Sequence, residues 1–198
     1  MPLGFVPLPS DLSLIMQTTP LNLVLVGLFE PSDEIRELHV FNRAAESLED
    51  GLAEKARLLD ALYSQGTGDK RAFEEMRLEY TRLFLSPGLP LARNYLTCWK
   101  NELGSNVLEE YLSYLQSKGF EVEEDVRELP EHIVPVLEVY ELLDEEEKQE
   151  FFEKFLSNFI LKWSRLLTEE TTHKFYKELG KFFFEWGNLE AKKYGKIS

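Results

Sequence analysis

Residues 69–84 read DKRAFEEMRLEYTRLF, and within them Phe73, Met76, Tyr80, Leu83 and Phe84 follow one another at steps of three, four, three and one. That spacing keeps returning to one side of a 3.6-residue turn. It predicts an amphipathic helix, with Asp69 ahead of it as the N-cap. Further along, Val107, Leu108, Tyr111, Leu112 and Leu115 repeat the pattern behind a candidate cap at Ser105, and Gly119 supplies the stop. Near the C-terminus Phe175, Leu179, Phe182, Phe183 and Trp186 share a face. Weaker helical patterns cover residues 10–29, with a break at Pro20, and residues 32–41 and 48–63. A helix with Pro130 at its first position is expected to run through Ile133, Leu137 and Tyr140, and Pro135 fits it only near the first turn. Asp144 then caps a helix carrying Phe151, Phe152, Phe155 and Leu156. No stretch alternates apolar and polar residues long enough for a sheet, and no long-period repeat is present. The expected architecture is all-α: a single-domain helical bundle spanning residues 1–198.

Two segments interrupt the helical pattern. Residues 85–97, LSPGLPLARNYLT, hold two prolines and a glycine and read as a long loop; residues 119–130 read as an acidic linker. Loops of that length within one domain are more often functional than idle. One domain is also what composition allows, since 198 residues with 43% hydrophobic content can bury a proper core. Its formal charge of −14 repels nucleic-acid phosphates and anionic membrane surfaces, which disfavours both as partners. The one cysteine, Cys98, has no internal disulfide partner and fits a reducing compartment. Leu12 to Phe29 is apolar, but no Lys or Arg precedes Arg36, and Gln17, Thr18, Thr19, Pro20 and Asn22 interrupt the run. It is therefore expected to be neither a signal peptide nor a membrane span. No Arg-Arg pair occurs, so the chain is not expected to be a twin-arginine export substrate, and a cytoplasmic location follows.

An active site is hard to find in the sequence. No phosphate-binding glycine loop, G-x-S-x-G or H-E-x-x-H motif occurs, and His39, His132 and His173 are scattered, none at metal-ligand spacing with a second His or Cys. They read as surface or hydrogen-bonded histidines. No catalytic residue, metal or cofactor is expected. The informative feature is where the charge lies: between Glu121 and Glu153 fourteen acidic residues face only Arg127 and Lys148, so this segment carries −12 of the −14. Such a run is either a set of solvated helix faces or a field that recruits a basic partner.

Four stretches carry a family resemblance. Glu79-Tyr80-Thr81-Arg82-Leu83-Phe84 with Pro87-Gly88 resembles the E-Y-x-x-L-F…P-G segment of TorD-type chaperones, and Tyr95-Leu96-Thr97-Cys98-Trp99 resembles their aromatic-x-S-x-aromatic stretch, with Thr97 in place of Ser. Leu129-Pro130-Glu131-His132-Ile133 with Leu137-Glu138 is similar to the L-P-D-H-[IL]…L-E motif, and Phe155-Leu156, Trp163 and Phe175-Tyr176 to the F-L…W…F-Y pattern. The matches run in order from residue 79 to 176. Two departures stand out: Arg93-Asn94 where the family has prolines, and Glu131 where it has Asp.

The resemblance to the TorD/DmsD/NarJ group implies an all-helical chaperone without turnover. Its ligand would be the N-terminal leader, of twin-arginine type or related, of a molybdenum- or tungsten-containing oxidoreductase catalytic subunit, held until cofactor insertion. A leader with a basic head and an apolar helix-former needs an acidic rim beside an apolar groove. Tyr80, Phe84, Pro87, Tyr95 and Trp99 are the groove candidates, with Tyr95 and Trp99 favoured over Phe84, which also completes the core stripe. Glu131, Glu138 and Glu141 are the candidates for the arginines, with Pro130 and His132 shaping the turn. The NarJ-like L-P-E-H form tilts towards a nitrate-reductase-like client. The resemblance admits a monomer or a domain-swapped dimer. Two other classes stay open: a permanent regulatory or structural subunit of an oxidoreductase complex, and a helical hydrolase with a carboxylate site.

Overall fold

The computed structural model describes residues 2–3, 19–85, 93–122 and 129–195. Eleven helices are present among them: α1 Pro20–Leu25, α2 Asp33–Glu37, α3 Val40–Ala45, α4 Asp50–Gly66, α5 Lys70–Tyr80, α6 Lys100–Leu103, α7 Val107–Ser117, α8 Ile133–Leu142, α9 Glu145–Phe151, α10 Ser157–Glu170 and α11 Lys174–Lys193. Extended pairing includes a two-residue parallel contact between β1 (Pro2–Leu3) and β2 (Glu121–Val122). The fold is all-α, as the apolar periodicity dictates.

The platform of the bundle is the antiparallel pair α10–α11. Phe159, Ile160, Trp163 and Leu167 on α10 and Phe175, Leu179, Phe182, Phe183 and Trp186 on α11 are all buried, and the Trp163 and Phe183 rings meet edge-on at 5.6 Å. The backbones come close where α11 has no side chain. A Cβ at Gly180 would lie 2.9 Å from the Ser164 carbonyl and 3.0 Å from the Thr168 nitrogen. One at Gly187 would sit 3.0 Å from Ile160. Helix α4 packs on the other side of α11 and also against α3, with Tyr63 edge-on to Phe175 at 5.2 Å. Each large side chain removed from water here is worth ~1.5–3 kcal/mol.

Caps decide where the helices begin. The Asp69 carboxylate accepts the Arg71 and Ala72 amides at 2.9 and 3.0 Å, and Asp144 forms a capping box with Glu147, both at the positions read from sequence. Other boundaries differ. Pro20 opens α1 behind a Thr19 cap, at the position of the expected break, because a proline needs no amide partner in the first turn; residues 10–18 of that expected helix lie outside the described residues. Ser105 is not the cap of α7: Asn106 occupies that position and makes no side-chain cap bond. Pro130 lies in the turn before α8, whose cap is His132, while Pro135 falls in the first turn. Residues 32–41 form two helices instead of one. At the break His39 takes a left-handed backbone (φ 47°), and its Nδ1 reaches the buried Asp60 carboxylate at 2.8 Å. Asn42 Nδ2 bonds the same carboxylate at 2.8 Å, so a buried acid on α4 holds the kink.

The helix expected behind Asp144 to carry Phe151, Phe152, Phe155 and Leu156 starts there as α9 and runs on into α10. A π-helical turn, Phe152–Leu156, joins them into one rod. The wider turn shifts the helical register, which lets the adjacent Phe151 and Phe152 both reach the core. A second π turn, Thr81–Leu85, ends α5.

Gly180→Val tests the platform. Its side chain would collide with α10 backbone, which has no room to give. We expect a loss of at least ~2–3 kcal/mol in denaturant unfolding, against little change for the exposed Gly119→Asn, whose left-handed position asparagine tolerates.

Candidate functional site

Two segments far apart in sequence are strapped together on the platform. The Ile133 amide donates to the Asn94 carbonyl at 2.7 Å, the Leu96 amide donates to the Glu131 carbonyl at 3.0 Å, and Tyr95 and His132 form an antiparallel bridge. Side chains complete the strap. Thr97 Oγ1 donates to Glu131 Oε1 at 3.0 Å, the Tyr95 and His132 rings meet edge-on at 5.1 Å, and Tyr111 Oη donates to the Pro130 carbonyl at 3.1 Å. The strap is tied down by Trp163, whose Nε1 donates to Asn94 Oδ1 at 2.9 Å in the buried interior. Asn94 is thus bonded through its backbone to α8 and through its side chain to α10. In the sequence it stands out only as part of Arg93-Asn94, where the family has prolines, and an asparagine in a loop is otherwise an ordinary turn residue.

The candidate residues separate into two groups. Tyr95, Pro130, Glu131 and His132 meet in the strap, with Tyr95 half-buried and the Glu131 side chain buried. Trp99 lies just behind them. It is 6% exposed, its Nε1 donates to the Arg93 carbonyl at 2.9 Å, and its ring lies 6.3 Å from Phe159, so it anchors the strap to the core. Glu138 and Glu141 follow on α8, and Glu138, like Glu131, adds its charge to the surroundings of Tyr111. Tyr80 and Phe84 belong elsewhere. They stack on each other at 5.3 Å, and Phe84, buried, packs on Tyr176 of α11 at 5.8 Å. Pro87 lies outside the described residues, as do residues 86–92 of the loop and 123–128 of the acidic linker.

Electrostatics in the strap follow from crowding. Burial pulls His132 down to about 4, so it is neutral at neutral pH, and its Nδ1 accepts the Val134 amide at 3.4 Å. Burial pushes Glu138 up to about 7. Burial, together with the charges of Glu131 and Glu138, drives the Tyr111 phenol far above its usual value. Behind α5, Glu79 is held below the usual carboxylate range by hydrogen bonds from Arg82 and Thr171, which outweigh its desolvation.

A different surface lies between α4, α10 and α11. There a cleft of about 450 Å³ is lined by Lys55, Arg165, Lys181 and Phe184, among others, with the Arg165 guanidinium 5.7 Å from the Phe184 ring centre. Among the described residues no cluster of His, Cys, Asp and Glu is arranged to hold a metal, and no helix is long and apolar enough to cross a membrane.

The family model described as nitrate reductase delta subunit matches residues 45–169, more than half of the chain and all of the strap. Comparisons with curated proteins and with solved structures find no match.

Two measurements check this geometry. Asn94→Ala strands the buried Trp163 N–H, which costs ~1–3 kcal/mol, and hydrogen exchange at the Leu96 and Ile133 amides should accelerate along with it. His132 makes the protein acid-sensitive. Its folded value of about 4 lies below the ordinary 6.5, so the unfolded chain binds the proton first and stability falls as pH drops from 6.5 towards 4. Compared with His132→Gln, wild type should lose ~2–3 kcal/mol at most over that interval.

Proposed function

The chain belongs to the nitrate reductase delta subunit family, and from that membership we propose that it is a cytoplasmic chaperone that holds the N-terminal leader of a nitrate-reductase-type molybdenum oxidoreductase subunit until its cofactor is inserted. The family falls within the TorD/DmsD/NarJ group of redox-enzyme maturation chaperones, whose members assist assembly and are not catalytic subunits.

The observation that carries the leader-binding reading is the strap. It gathers Tyr95, Glu131 and His132 from segments 34 or more residues apart into one continuous patch, with Glu138 and Glu141 following on α8. An aromatic edge beside carboxylates suits a segment that has an apolar helix-former and a basic head. Leu129, 58% exposed, adds an apolar border at the entrance. Division of labour follows from magnitudes. Exposed ion pairs contribute ~0–1 kcal/mol each, whereas burying a leucine-sized side chain gives ~1.5–3 kcal/mol. Apolar contact therefore sets affinity, and the acidic segment sets the encounter rate.

Stopped-flow kinetics with a peptide of the client's N-terminal leader test this reading. We expect the wild-type on-rate to fall as salt rises, and the combined Glu131→Gln, Glu138→Gln and Glu141→Gln variant to associate ~10-fold more slowly at low salt with a flatter salt dependence. Tyr95→Ala should lose ~2 kcal/mol of affinity while keeping most of its melting temperature. A wild-type protein that does not bind the leader, or binds it at a rate indifferent to salt, contradicts the reading.

A further inference from the structure

We propose that the cleft between α4, α10 and α11 is a docking site for a short acidic, partly apolar segment of a protein partner, separate from the strap and independent of leader binding.

Charge is divided along the chain. Against the −12 between Glu121 and Glu153, residues 154–198 hold nine Lys and Arg and five Glu, a net +4. Helices α10 and α11 belong to that basic part. The cleft brings one cation from each of three helices to one place: Lys55 of α4, Arg165 of α10 and Lys181 of α11. In a protein whose overall charge of −14 repels acids, this is a local surface that attracts one.

An aromatic ring lies among these cations. Helix α11 carries three phenylalanines in a row, and Phe182 and Phe183 are fully buried in the core. A turn of 3.6 residues leaves Phe184 at the border of that face, half-buried, and it lines the cleft. The Arg165 guanidinium lies 5.7 Å from the centre of its ring. A guanidinium held against a ring face is preoriented and still offers its in-plane N–H groups to a carboxylate. Lys55 and Lys181 are matched at their own places, with Glu185 at 3.2 Å and Glu178 at 2.6 Å. Arg165 and Phe184 are therefore the anchor, one for a carboxylate and the other for an apolar side chain.

The surrounding walls are fixed before any partner arrives. Helices α10 and α11 are locked together at Gly180 and Gly187, and a Cβ at Gly51 of α4 would lie 3.1 Å from Glu185 Oε1. A preformed site loses little entropy on binding. Its charge also selects the class of ligand. Glu169 and Glu185 line the cleft with the three cations, so its ionic side chains sum to only +1. A polyphosphate or nucleic-acid backbone would meet both carboxylates. A peptide with one well-placed carboxylate beside an apolar residue meets Arg165 and Phe184 together, and about 450 Å³ accommodates a few side chains.

The experiment is a nuclear magnetic resonance titration of the intact chain with the capped peptide acetyl-EFLEE-amide. Saturable shift changes should centre on Lys55, Arg165, Lys181 and Phe184, leave the strap silent, and weaken as salt rises. Arg165 is exposed, so Arg165→Glu should melt close to wild type while binding the peptide ~10-fold or more weakly. Arg165→Lys keeps the charge without the planar fork and should fall between the two. The capped peptide acetyl-KFLKK-amide should not bind the cleft, and prior addition of the leader peptide should not displace acetyl-EFLEE-amide. No saturable change at the cleft with millimolar peptide, equal binding of the two capped peptides, or unchanged affinity in Arg165→Glu overturns the proposal. So does tighter binding of inorganic tripolyphosphate at the same residues, which would make the ligand a phosphate. Each of these results leaves leader binding standing, and failure of the leader to bind leaves the cleft untouched.

Discussion

The arrangement depends on a single buried amide side chain. Asn94 accepts the Trp163 indole N–H through Oδ1 and the Ile133 amide through its backbone carbonyl. A buried polar side chain destabilises a fold unless its hydrogen bonds are made, and here making them joins the segment before α6, the start of α8 and the middle of α10. The Leu96 amide and the Thr97 hydroxyl bond Glu131 and hold the two segments to each other, and the Asn94 joint seats both on the platform. With it, they share a rigid base, because α10 is itself locked to α11 by the close approach at Gly180 and Gly187. The candidate patch inherits the order of the helical pair beneath it, and a preordered surface loses less entropy on docking a ligand.

Charge works at two ranges. The segment from Glu121 to Glu153 is strongly acidic in sequence, yet several of its carboxylates are internally matched: Glu145 with Lys193, Glu147 and Glu150 with Lys118. Those pairs close the seam between α7, α9 and α11, and being partly exposed they add little stability each. What they leave is an excess around α8 and the strap. Its long-range effect is steering, screened over about 8 Å at physiological ionic strength. At short range burial pushes the Glu138 carboxyl up to about 7.

Periodicity made the helices legible: α11 buries the face that the sequence displays, α5 with its π turn buries Met76, Leu83 and Phe84, and α7 buries Val107, Tyr111 and Leu115 while Leu112 of the same set stays 38% exposed. Asp69, Asp144 and Gly119 were legible because their roles are local. The breaks were not. His39 ends α2 because Asp60, 21 residues later, captures its ring, and no window around His39 contains that carboxylate. The π turn at Phe152–Leu156 exists because two adjacent phenylalanines both find room in the core, which is a tertiary fact. At the candidate site the motifs located Tyr95, Glu131 and His132 but could not tell lining from support. Trp99 and Phe84 resemble binding aromatics in sequence, and packing places both in the core. Asn94 showed only as a departure from the family's prolines, and its structural role was hidden because it lies in a bond to a residue 69 positions away.

The central claim is that the strap and the exposed side of α8 form the surface that meets the client. Mapping backbone amide shift changes by nuclear magnetic resonance, as the leader peptide is added to the intact chain, tests it most directly. The account predicts that the largest changes cluster at Tyr95–Trp99, Leu129–His132 and Glu138–Leu142, with the cleft between α4, α10 and α11 undisturbed. Changes centred instead on Lys55, Arg165 and Lys181, with the strap silent, would contradict it.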